Sequence, residues 1–358
     1  MNGRIDEELE KRNLPEFTGR EKAEALLRQN LYGQLPFWDE RITYEVLKQE
    51  PDGIGGRARI WTVAVHAVDY HAVAAFTFYV MLPKGQSRPP IFFYLSFHPE
   101  IEEAVAELLL DQGYALAHVY YQDIAADWPD HFQSGFGRLG NRNPYSSAGK
   151  LALWAFGLSK AADYVLKENL ADPERMAVIG HSRLGKAALA AGAFDSRFAL
   201  TAAVQSGAAG IALFRGKTGE QLKDLEHGSS RDWLCGQAYI YVERILELPF
   251  DQHFLPALIA PRRLYIASAQ KDAWADPLSE YLACAAGSAY YRELGRRGLI
   301  RTREEETLFE VPDDSKGLWG ILGRSAEGEI GWHYRKGTHY FSICDWKEIL
   351  AYRKRHNV

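Results

Sequence analysis

The stretch Arg175–Leu189, RMAVIGHSRLGKAAL, decides the fold. An apolar segment with strand character ends near Gly180, Ser182 follows, and a helix rich in small residues begins directly after the serine. This is the strand–turn–helix context of a nucleophile elbow, whose sharp turn lifts a serine hydroxyl clear of the sheet. The new helix directs backbone N–H groups and a partial positive charge towards a developing oxyanion. Gly185 comes one position later than in the common G-x-S-x-G pattern.

Strand-like and helix-like segments alternate on both sides of this stretch. Apolar runs predict strands at Ile91–Ser96, Tyr114–Tyr121, Arg175–Ile179, Leu200–Val204, Leu264–Ala269 and Ile330–Tyr334. Helical spacing predicts helices at Glu102–Gln112, Leu151–Leu166, Leu184–Ala193, after Pro277 and at Asp345–Arg355. Such alternation predicts an α/β protein, here a three-layer αβα sandwich with a mainly parallel sheet, the α/β-hydrolase fold.

We predict one catalytic domain over residues 51–358, preceded by a helical extension over residues 1–50. The domain begins with two β-rich runs, Arg57–Val68 and Val73–Leu82. Residues 208–250 break the alternation with charges, glycines and aromatics, and we expect them to form an inserted cap. Arg296–Glu327 is charged and lacks hydrophobic periodicity, which favours a surface excursion.

Composition narrows the class of protein. Of 358 residues, 47% are apolar and 25% charged, the balance of a soluble globular protein, and the net charge is −5 without a basic face. We therefore expect no nucleic-acid partner, and no apolar run reaches the ~20 residues of a membrane span. The N-terminal residues MNGRIDEELEKRN carry no apolar segment and the three cysteines are an odd number, so a cytoplasmic location is expected. The oligomeric state does not follow from the sequence.

One motif suggests a cofactor and is rejected. Residues 135–140, GFGRLG, match the dinucleotide pattern G-x-G-x-x-G. That pattern binds a pyrophosphate only between a strand and a helix, whereas here it lies in loop-like sequence. The histidines show no zinc spacing of the H-E-x-x-H type. We therefore expect neither a cofactor nor a metal.

Partners for Ser182 follow in the order that this fold uses, serine, acid, histidine. The predicted strand Leu264–Ala269 is followed by SAQKDAWADP, which offers Asp272 and Asp276 as the acid. Asp276 precedes a proline and could equally be the N-cap of the next helix. His339 lies in a loop before the last helix, where a general base is expected.

Three separated segments resemble carbohydrate esterase family 15, the glucuronoyl esterases and their bacterial relatives. They are GHSRLGKAALAAGAFDSRFAL, LPFDQHFLPALIAPRRLYIASAQKDAWADP and GTHYFSICDW, and the similarity covers roughly residues 90–356. The resemblance implies an α/β-hydrolase that cleaves esters of glucuronic acid, as found between xylan and lignin alcohols. The expected partner is thus a small carbohydrate ester. Rival interpretations are a carbohydrate acetylesterase on the same fold and an inactive binding module.

The resemblance also implies roles for individual residues. Ser182 is the nucleophile, and Arg183 lies on the oxyanion side, where its guanidinium can donate to the same oxygen. Lys186, Glu220 and Trp274 match family residues that contact the sugar. From the residues alone, Lys186 could equally be a surface lysine, Glu220 a cap charge and Trp274 a packing residue beneath the cap. A second oxyanion donor is expected in the loop after Ser96, where Phe97 and His98 lie.

The sequence departs from the family at one catalytic position. Many members carry their acid as a glutamate shortly after the elbow helix, where this chain has Gln205. An amide cannot stabilise an imidazolium as a carboxylate does, so we expect Asp272 to be the acid. On this interpretation, Gln205→Glu should partly rescue Asp272→Asn.

Overall fold

The computed structural model describes residues 3–35, 41–70, 72–301, 309 and 320–358. In this part of the chain a ten-stranded mixed sheet has the order β1-β2-β3-β5-β4-β6-β7-β8-β10-β9. The strands are β1 Ile42–Asp52, β2 Ala58–Val68, β3 Val73–Pro83, β4 Ile91–Ser96, β5 Ala115–Tyr120, β6 Met176–His181, β7 Leu200–Val204, β8 Arg263–Ala269, β9 Ile321–Ser325 and β10 Ile330–Arg335. Strands β5, β4, β6, β7, β8 and β10 are parallel neighbours, and antiparallel strands flank them on both sides.

Helices cover both faces of the sheet. They are α1 Arg4–Arg12, α2 Arg20–Leu27, α3 Glu103–Leu110, α4 Lys150–Lys167, α5 Arg183–Phe194, α6 Phe254–Ile259, α7 Pro277–Glu293 and α8 Ile343–His356, besides single turns. Alternate residues of β6 point to opposite faces: Met176 and Val178 join the core beneath α4 and α5, and Ala177 and Ile179 join the core beneath α3 and α8. This confirms the predicted three-layer α/β-hydrolase fold. Of the helices described, none is both long and apolar enough to cross a bilayer.

The N-terminal prediction is wrong in its second half. Two helices, Arg4–Arg12 and Arg20–Leu27, are followed by a π turn at Arg28–Tyr32, but Ile42–Asp52 is an edge strand that pairs antiparallel with β2. Most of its side chains are exposed on both faces, so it lacks the apolar alternation that identifies a half-buried strand. Within the expected surface excursion, β9 likewise pairs with the edge of β10, while residues 302–308 and 310–319 lie outside the described residues.

Residues 208–250 follow β7 and precede α6. Their regular structure consists of four short 3₁₀ turns at Leu222–Glu226, Gly228–Asp232, Gly236–Tyr241 and Ile245–Glu247. The N-terminal helices support this inserted segment: the Cys235 N–H donates to the Leu31 carbonyl at 3.0 Å, and the Tyr241 hydroxyl donates to Asn30 Oδ1 at 3.2 Å. Residues near the N-terminus therefore hold the inserted segment in place through hydrogen bonds.

Four parallel neighbours position the candidate site. Ser182, Gln205, Asp272 and His339 each follow the carboxyl end of a strand, respectively β6, β7, β8 and β10. Because carboxyl ends of parallel strands share one edge of a sheet, residues far apart in sequence meet there. The GFGRLG motif lies in a loop around a short turn at Gly135–Arg138, as expected.

Candidate active site

Ser182 lies in the sharp turn that the sequence predicts. Its backbone has φ 56° and ψ −128°, a conformation that an L-residue adopts only under constraint. A Cβ on Gly180 would lie 2.2 Å from the Leu184 carbonyl oxygen, so only glycine fits there. Gly185 also approaches closely, because a Cβ there would lie 3.1 Å from the Gly180 carbonyl. The displaced second glycine therefore still serves a close approach at the turn.

Ser182, His339 and Asp272 form one continuous hydrogen-bonded chain. Nε2 of His339 lies 2.8 Å from Ser182 Oγ, and Nδ1 lies 2.7 Å from Asp272 Oδ2. With the proton on Nδ1, His339 donates to the carboxylate and accepts from the serine hydroxyl. Asp272 is 2% exposed, whereas 37% of the His339 side chain is exposed. The acid is thus buried behind an imidazole that remains open to a substrate.

The two candidate acids have different partners. Asp276 is the N-cap of α7, where it accepts from the Ser279 N–H at 3.2 Å. Its other oxygen accepts from the Thr218 N–H at 2.7 Å. Of the two candidate acids, Asp272 is the one that contacts His339.

Arg183 is fixed by residues that the sequence did not reveal. Its Nη1 donates to Asp127 Oδ2, and its guanidinium lies over the Trp233 ring, 4.9 Å from the centroid. Asp127 also accepts from Trp233 Nε1 at 2.7 Å and from the Tyr121 hydroxyl at 3.0 Å. Asp127 lies in AADWPD, which reads as an ordinary loop and gives no signal. As the first residue of α5, Arg183 has a backbone N–H without a carbonyl one turn earlier to bind.

The expected second oxyanion donor does not include His98. Its N–H already donates to Ser96 Oγ at 3.0 Å, because the chain turns tightly after β4. The Phe97 ring packs against Tyr121 and His181, with centroids 5.4 and 6.1 Å apart. The Phe97 ring thus supports the site by packing, and the Phe97 backbone N–H stays the predicted second donor.

Lys186 and Glu220 bind each other. Lys186 Nζ lies 2.6 Å from Glu220 Oε2, and both side chains are almost completely buried. Lys186 also donates to the Ala208 carbonyl, and the Ala208 N–H donates to Glu220 Oε2 at 3.0 Å. Neither residue is the solvated surface charge that the sequence allowed, and together they form one buried ion pair in the wall of the site.

Trp274 presents its ring to the site. The residue is 54% exposed, although its carbonyl is fixed by the Glu220 N–H at 2.8 Å. An indole that packs beneath an insertion would be buried, so the packing interpretation of Trp274 is wrong. A fixed backbone with an open aromatic face suits the apolar face of a sugar ring.

Gln205 lines the cavity, and His181 lies between it and the His339 ring. Gln205 is 1% exposed, and its Oε1 lies 3.2 Å from Nε2 of His181. Among the described residues no hydrogen bond joins Gln205 to His339. Burial, together with the neighbouring His339, lowers the pKa of His181 to about 4.

The site opens into a cavity of about 330 Å³. Residues from five segments line it: Ser182, Arg183, Lys186, Gln205, Ser206, Gly207, Glu220, Asp224, Leu225, Ser229, Ser230, Trp233, Trp274, Ala275 and His339. The inserted segment thus supplies one wall. Ligand pockets typically measure about 300–1,000 Å³, so this volume suits a single sugar unit. In the part of the chain described, no cluster of three or more His, Cys, Asp or Glu side chains could hold a metal ion.

Comparisons with known proteins agree with this arrangement. The family model described as "Glucuronyl esterase, fungi" matches residues 65–295. The chain is 31% identical to "Carbohydrate esterase MZ0003" from an unknown prokaryotic organism, over 94% of this chain and 84% of that protein. A solved glucuronoyl esterase from Solibacter usitatus superimposes with a TM-score of 0.80 at 29% identity, covering 94% of this chain and 91% of that one.

A further solved structure, described as a promiscuous esterase of carbohydrate esterase family 15 from the marine bacterial metagenome, has a TM-score of 0.79 and 30% identity. The superposition covers 94% of this chain and 91% of the metagenomic esterase chain. The match to the family model includes the elbow around Ser182, and the alignment at 31% identity covers 94% of the chain. The chain therefore belongs to carbohydrate esterase family 15, the glucuronoyl esterases.

Proposed function

We propose that the chain hydrolyses esters of glucuronic acid, with Ser182 as nucleophile, His339 as general base and acid, and Asp272 as the carboxylate that orients His339. The observation that carries this proposal is the continuous chain of hydrogen bonds from Asp272 to Ser182, which ends at a cavity with an exposed tryptophan. A buried acid, an accessible imidazole and a hydroxyl in a constrained turn are the parts that acyl transfer needs.

The reaction then follows two steps. His339 takes the proton of Ser182 Oγ as that oxygen attacks the ester carbonyl, and Asp272 stabilises the imidazolium that forms. The oxyanion lies at the N-terminus of α5, where the Arg183 N–H can donate to it. His339 then protonates the leaving alcohol, and the uronic acid remains bound to Ser182 as an acyl-enzyme. Water attacks this ester with His339 again as base, which releases the free acid.

The Arg183 side chain, which the sequence suggested as a donor to the oxyanion, donates through Nη1 to Asp127. Because Asp127 and Trp233 hold the guanidinium, it places a fixed positive charge beside the oxyanion position. Asp127 partly neutralises that charge and fixes its position. We expect its contribution to be electrostatic and orientational.

The sugar side of the cavity supports the choice of a uronate. The Lys186–Glu220 pair offers a donor and an acceptor next to each other, which matches neighbouring hydroxyl groups of a pyranose. Trp274 offers an aromatic face for the ring. A simple acetyl ester would leave both features unused, so these residues separate a glucuronoyl esterase from an acetylesterase.

The test compares benzyl glucuronate with p-nitrophenyl acetate in the variant Trp274→Ala. We expect kcat/KM to fall about 10-fold for the glucuronate, as for the loss of one aromatic contact, and to change little for the acetate. Trp128→Ala is the matched control, since Trp128 is equally exposed at 54% and does not line the cavity. An equal loss on both substrates would contradict the proposed sugar pocket.

Labelling with a fluorophosphonate addresses the inactive-module alternative. An active serine esterase reacts covalently at Ser182, because His339 activates that hydroxyl. If the wild-type chain remained unlabelled, the esterase proposal would be wrong. The cytoplasmic location stays a prediction from the sequence.

A further inference from the structure

We propose that His181 and Gln205 form an uncharged positioning pair for His339. In this pair the Gln205 amide holds His181 as a neutral ring against His339, so that the imidazolium formed during catalysis meets no second positive charge. The inference rests on the proposed function of Ser182, His339 and Asp272 and adds two residues to it. Neither His181 nor Gln205 is required to touch the substrate.

The ring of His181 lies directly beside the ring of His339. The two centroids are 4.7 Å apart and the planes are tilted by 39°. Phe97 and Phe341 pack against His181, each with its centroid 6.1 Å away. Since His181 is the last residue of β6 and immediately precedes Ser182, its backbone cannot move without moving the nucleophile. The side chain therefore forms a fixed wall for the catalytic imidazole.

Gln205 is held as firmly as His181. Its backbone has φ 51°, in the left-handed region, and its N–H donates to the Ala267 carbonyl at 2.8 Å. With the proton of His181 on Nε2, this nitrogen donates to Gln205 Oε1 at 3.2 Å. The Gln205 Nε2 atom is buried and has no hydrogen-bond partner among the described residues.

The charges around His181 leave it neutral. The charged or titratable groups that act on it are His339, Asp272 and Asp345. Asp272 is bound to His339, and Asp345 is bound to His333 and Arg335, so neither carboxylate contacts the His181 ring. Burial, followed by the nearby His339, lowers the pKa of His181 to about 4. At pH values well above this, His181 carries no charge while His339 gains and loses its proton.

The amide at position 205 is important because it accepts a hydrogen bond from His181 and, being uncharged, raises the pKa of that ring too little to offset its burial. A carboxylate in its place would favour the protonated form of His181. A cation less than 5 Å from His339 would then oppose formation of the second imidazolium. The geometry thus reverses the sequence-based expectation that Gln205→Glu rescues Asp272→Asn, because the side chain of Gln205 faces His181.

The experiment measures the pH dependence of kcat/KM for Gln205→Glu from about pH 5 to about pH 9, with p-nitrophenyl acetate and benzyl glucuronate. We expect a loss of about 10-fold or more near pH 6 that shrinks at high pH, when His181 is deprotonated again. The double variant His181→Asn/Gln205→Glu should lose this additional pH dependence, since asparagine cannot be protonated. Gln205→Leu, which removes the acceptor without adding charge, should lower kcat without moving the acid limb.

A second variant keeps the inference testable if Gln205→Glu does not fold. His181→Phe retains a neutral ring of similar size, and we expect it to keep kcat within about 10-fold of wild type with an unchanged acid limb. Abolished turnover in folded His181→Phe, a wild-type pH profile in Gln205→Glu, or rescue of Asp272→Asn by Gln205→Glu would each overturn the proposal. Failure of the proposed function is a different result, because it requires wild-type turnover in Ser182→Ala.

Discussion

Two chains of hydroxyl, imidazole and carboxylate lie in the same sheet, and we propose only one of them as catalytic. In the first, Ser182, His339 and Asp272 are joined by distances of 2.8 and 2.7 Å. In the second, the Tyr265 hydroxyl lies 3.0 Å from His333 Nδ1, and His333 Nε2 lies 2.9 Å from Asp345 Oδ1. Hydrogen-bond connectivity therefore does not distinguish the two.

The two hydrogen-bonded chains differ in their positions along the strands. Tyr265 and His333 lie inside β8 and β10, and the His333 and Asp345 side chains are 0% exposed. A Cβ on Gly331 would lie 2.4 Å from the Tyr265 ring, so that ring is packed flat on the sheet. Ser182 and His339 instead follow strand ends and line a cavity. Ser182 and His339 are accessible beyond the carboxyl ends of their strands, and the backbone of Ser182 is constrained. These properties distinguish the candidate site from the buried hydrogen-bonded chain.

The carboxylates also differ in their counter-charges. Burial by itself raises the pKa of Asp345, but the hydrogen bonds and charges of His333 and Arg335 outweigh it and bring the pKa to about 2. Arg335 Nε lies 2.8 Å from Asp345 Oδ1. Among the described residues no arginine contacts Asp272, whose Oδ2 lies 2.7 Å from His339 Nδ1 while its Oδ1 accepts from the Ala275 N–H at 3.2 Å. We therefore expect the Asp345 carboxylate to stabilise the fold and the Asp272 carboxylate to stabilise a transient imidazolium at His339.

The largest expected effect separates the two hydroxyls. Ser182→Ala should lower kcat by about 10⁴–10⁶-fold, as when a serine nucleophile is removed, and leave the melting temperature near that of wild type. Tyr265→Phe, measured in parallel, should leave kcat within a few-fold. Comparable turnover in wild type and Ser182→Ala would remove the basis for assigning the nucleophile.

The next effect separates the two carboxylates by activity. Asp272→Asn should lower kcat by about 10⁴-fold, since an amide cannot stabilise the imidazolium of His339. The folded protein should retain its cavity, so binding of a product such as glucuronate, measured by calorimetry, should persist. If Asp272→Asn kept most of its turnover, another group would have to hold His339.

The same substitution in the buried chain should act on stability. Asp345→Asn leaves Arg335 buried without its carboxylate, and we expect a loss of about 3–5 kcal/mol in the free energy of unfolding, measured by urea denaturation. The kcat per folded molecule should change little. A variant with full stability and lost turnover would mean that the buried chain takes part in catalysis.

Acid titration provides the control for this variant. The pKa of Asp345 is lower in the folded state than the ordinary value of about 3.9, so its contribution is present above that value and is lost as pH falls towards about 2. The shift corresponds to roughly 2–3 kcal/mol of pH-dependent stability in wild type. Asp345→Asn should lack this component between about pH 4 and about pH 2.

The smallest effect separates two acids four residues apart. Asp276→Asn can replace the oxygen that accepts from the Thr218 N–H by an NH₂ group, which we expect to cost about 1 kcal/mol of unfolding free energy with kcat nearly unchanged. Thermal unfolding and a turnover assay on the same preparation would measure both. A large loss of turnover would show that Asp276 and Asp272 share the role of the acid.

The sequence predicts this fold well because its central strands are buried on both faces. Ile91–Ser96 and Leu200–Val204 have the bounds in the structure that their apolar runs predict. The edge strand Ile42–Asp52 escaped prediction because its stability comes from pairing with β2 and requires little apolar side-chain burial. Local pattern therefore identifies the centre of a sheet better than its edges.

The candidate site shows the same division. Ser182, His339 and Asp272 follow from motif and chain order, because each lies just beyond a predictable strand. Asp127 and Trp233 could not be found in this way. Asp127 lies in a loop 56 residues before Arg183, and Trp233 lies within the inserted segment, so neither is near Arg183 in the sequence. The partner of Gln205 was also unpredictable, because alignment to relatives shows which residue has changed but not which side chain it faces.

The support that the N-terminal helices give to the inserted segment has a consequence for shortening the chain. The sequence predicts only a polar helical extension over residues 1–50, ahead of the catalytic domain. Yet Arg12 donates to the Arg215 carbonyl at 2.7 Å, and the Tyr32 hydroxyl donates to the Ala209 carbonyl at 3.0 Å. Truncation at residue 35 would remove these hydrogen bonds to the inserted segment, which carries Trp233. We therefore expect proteolytic trimming at this point to inactivate the enzyme, although every proposed catalytic residue would remain in the chain.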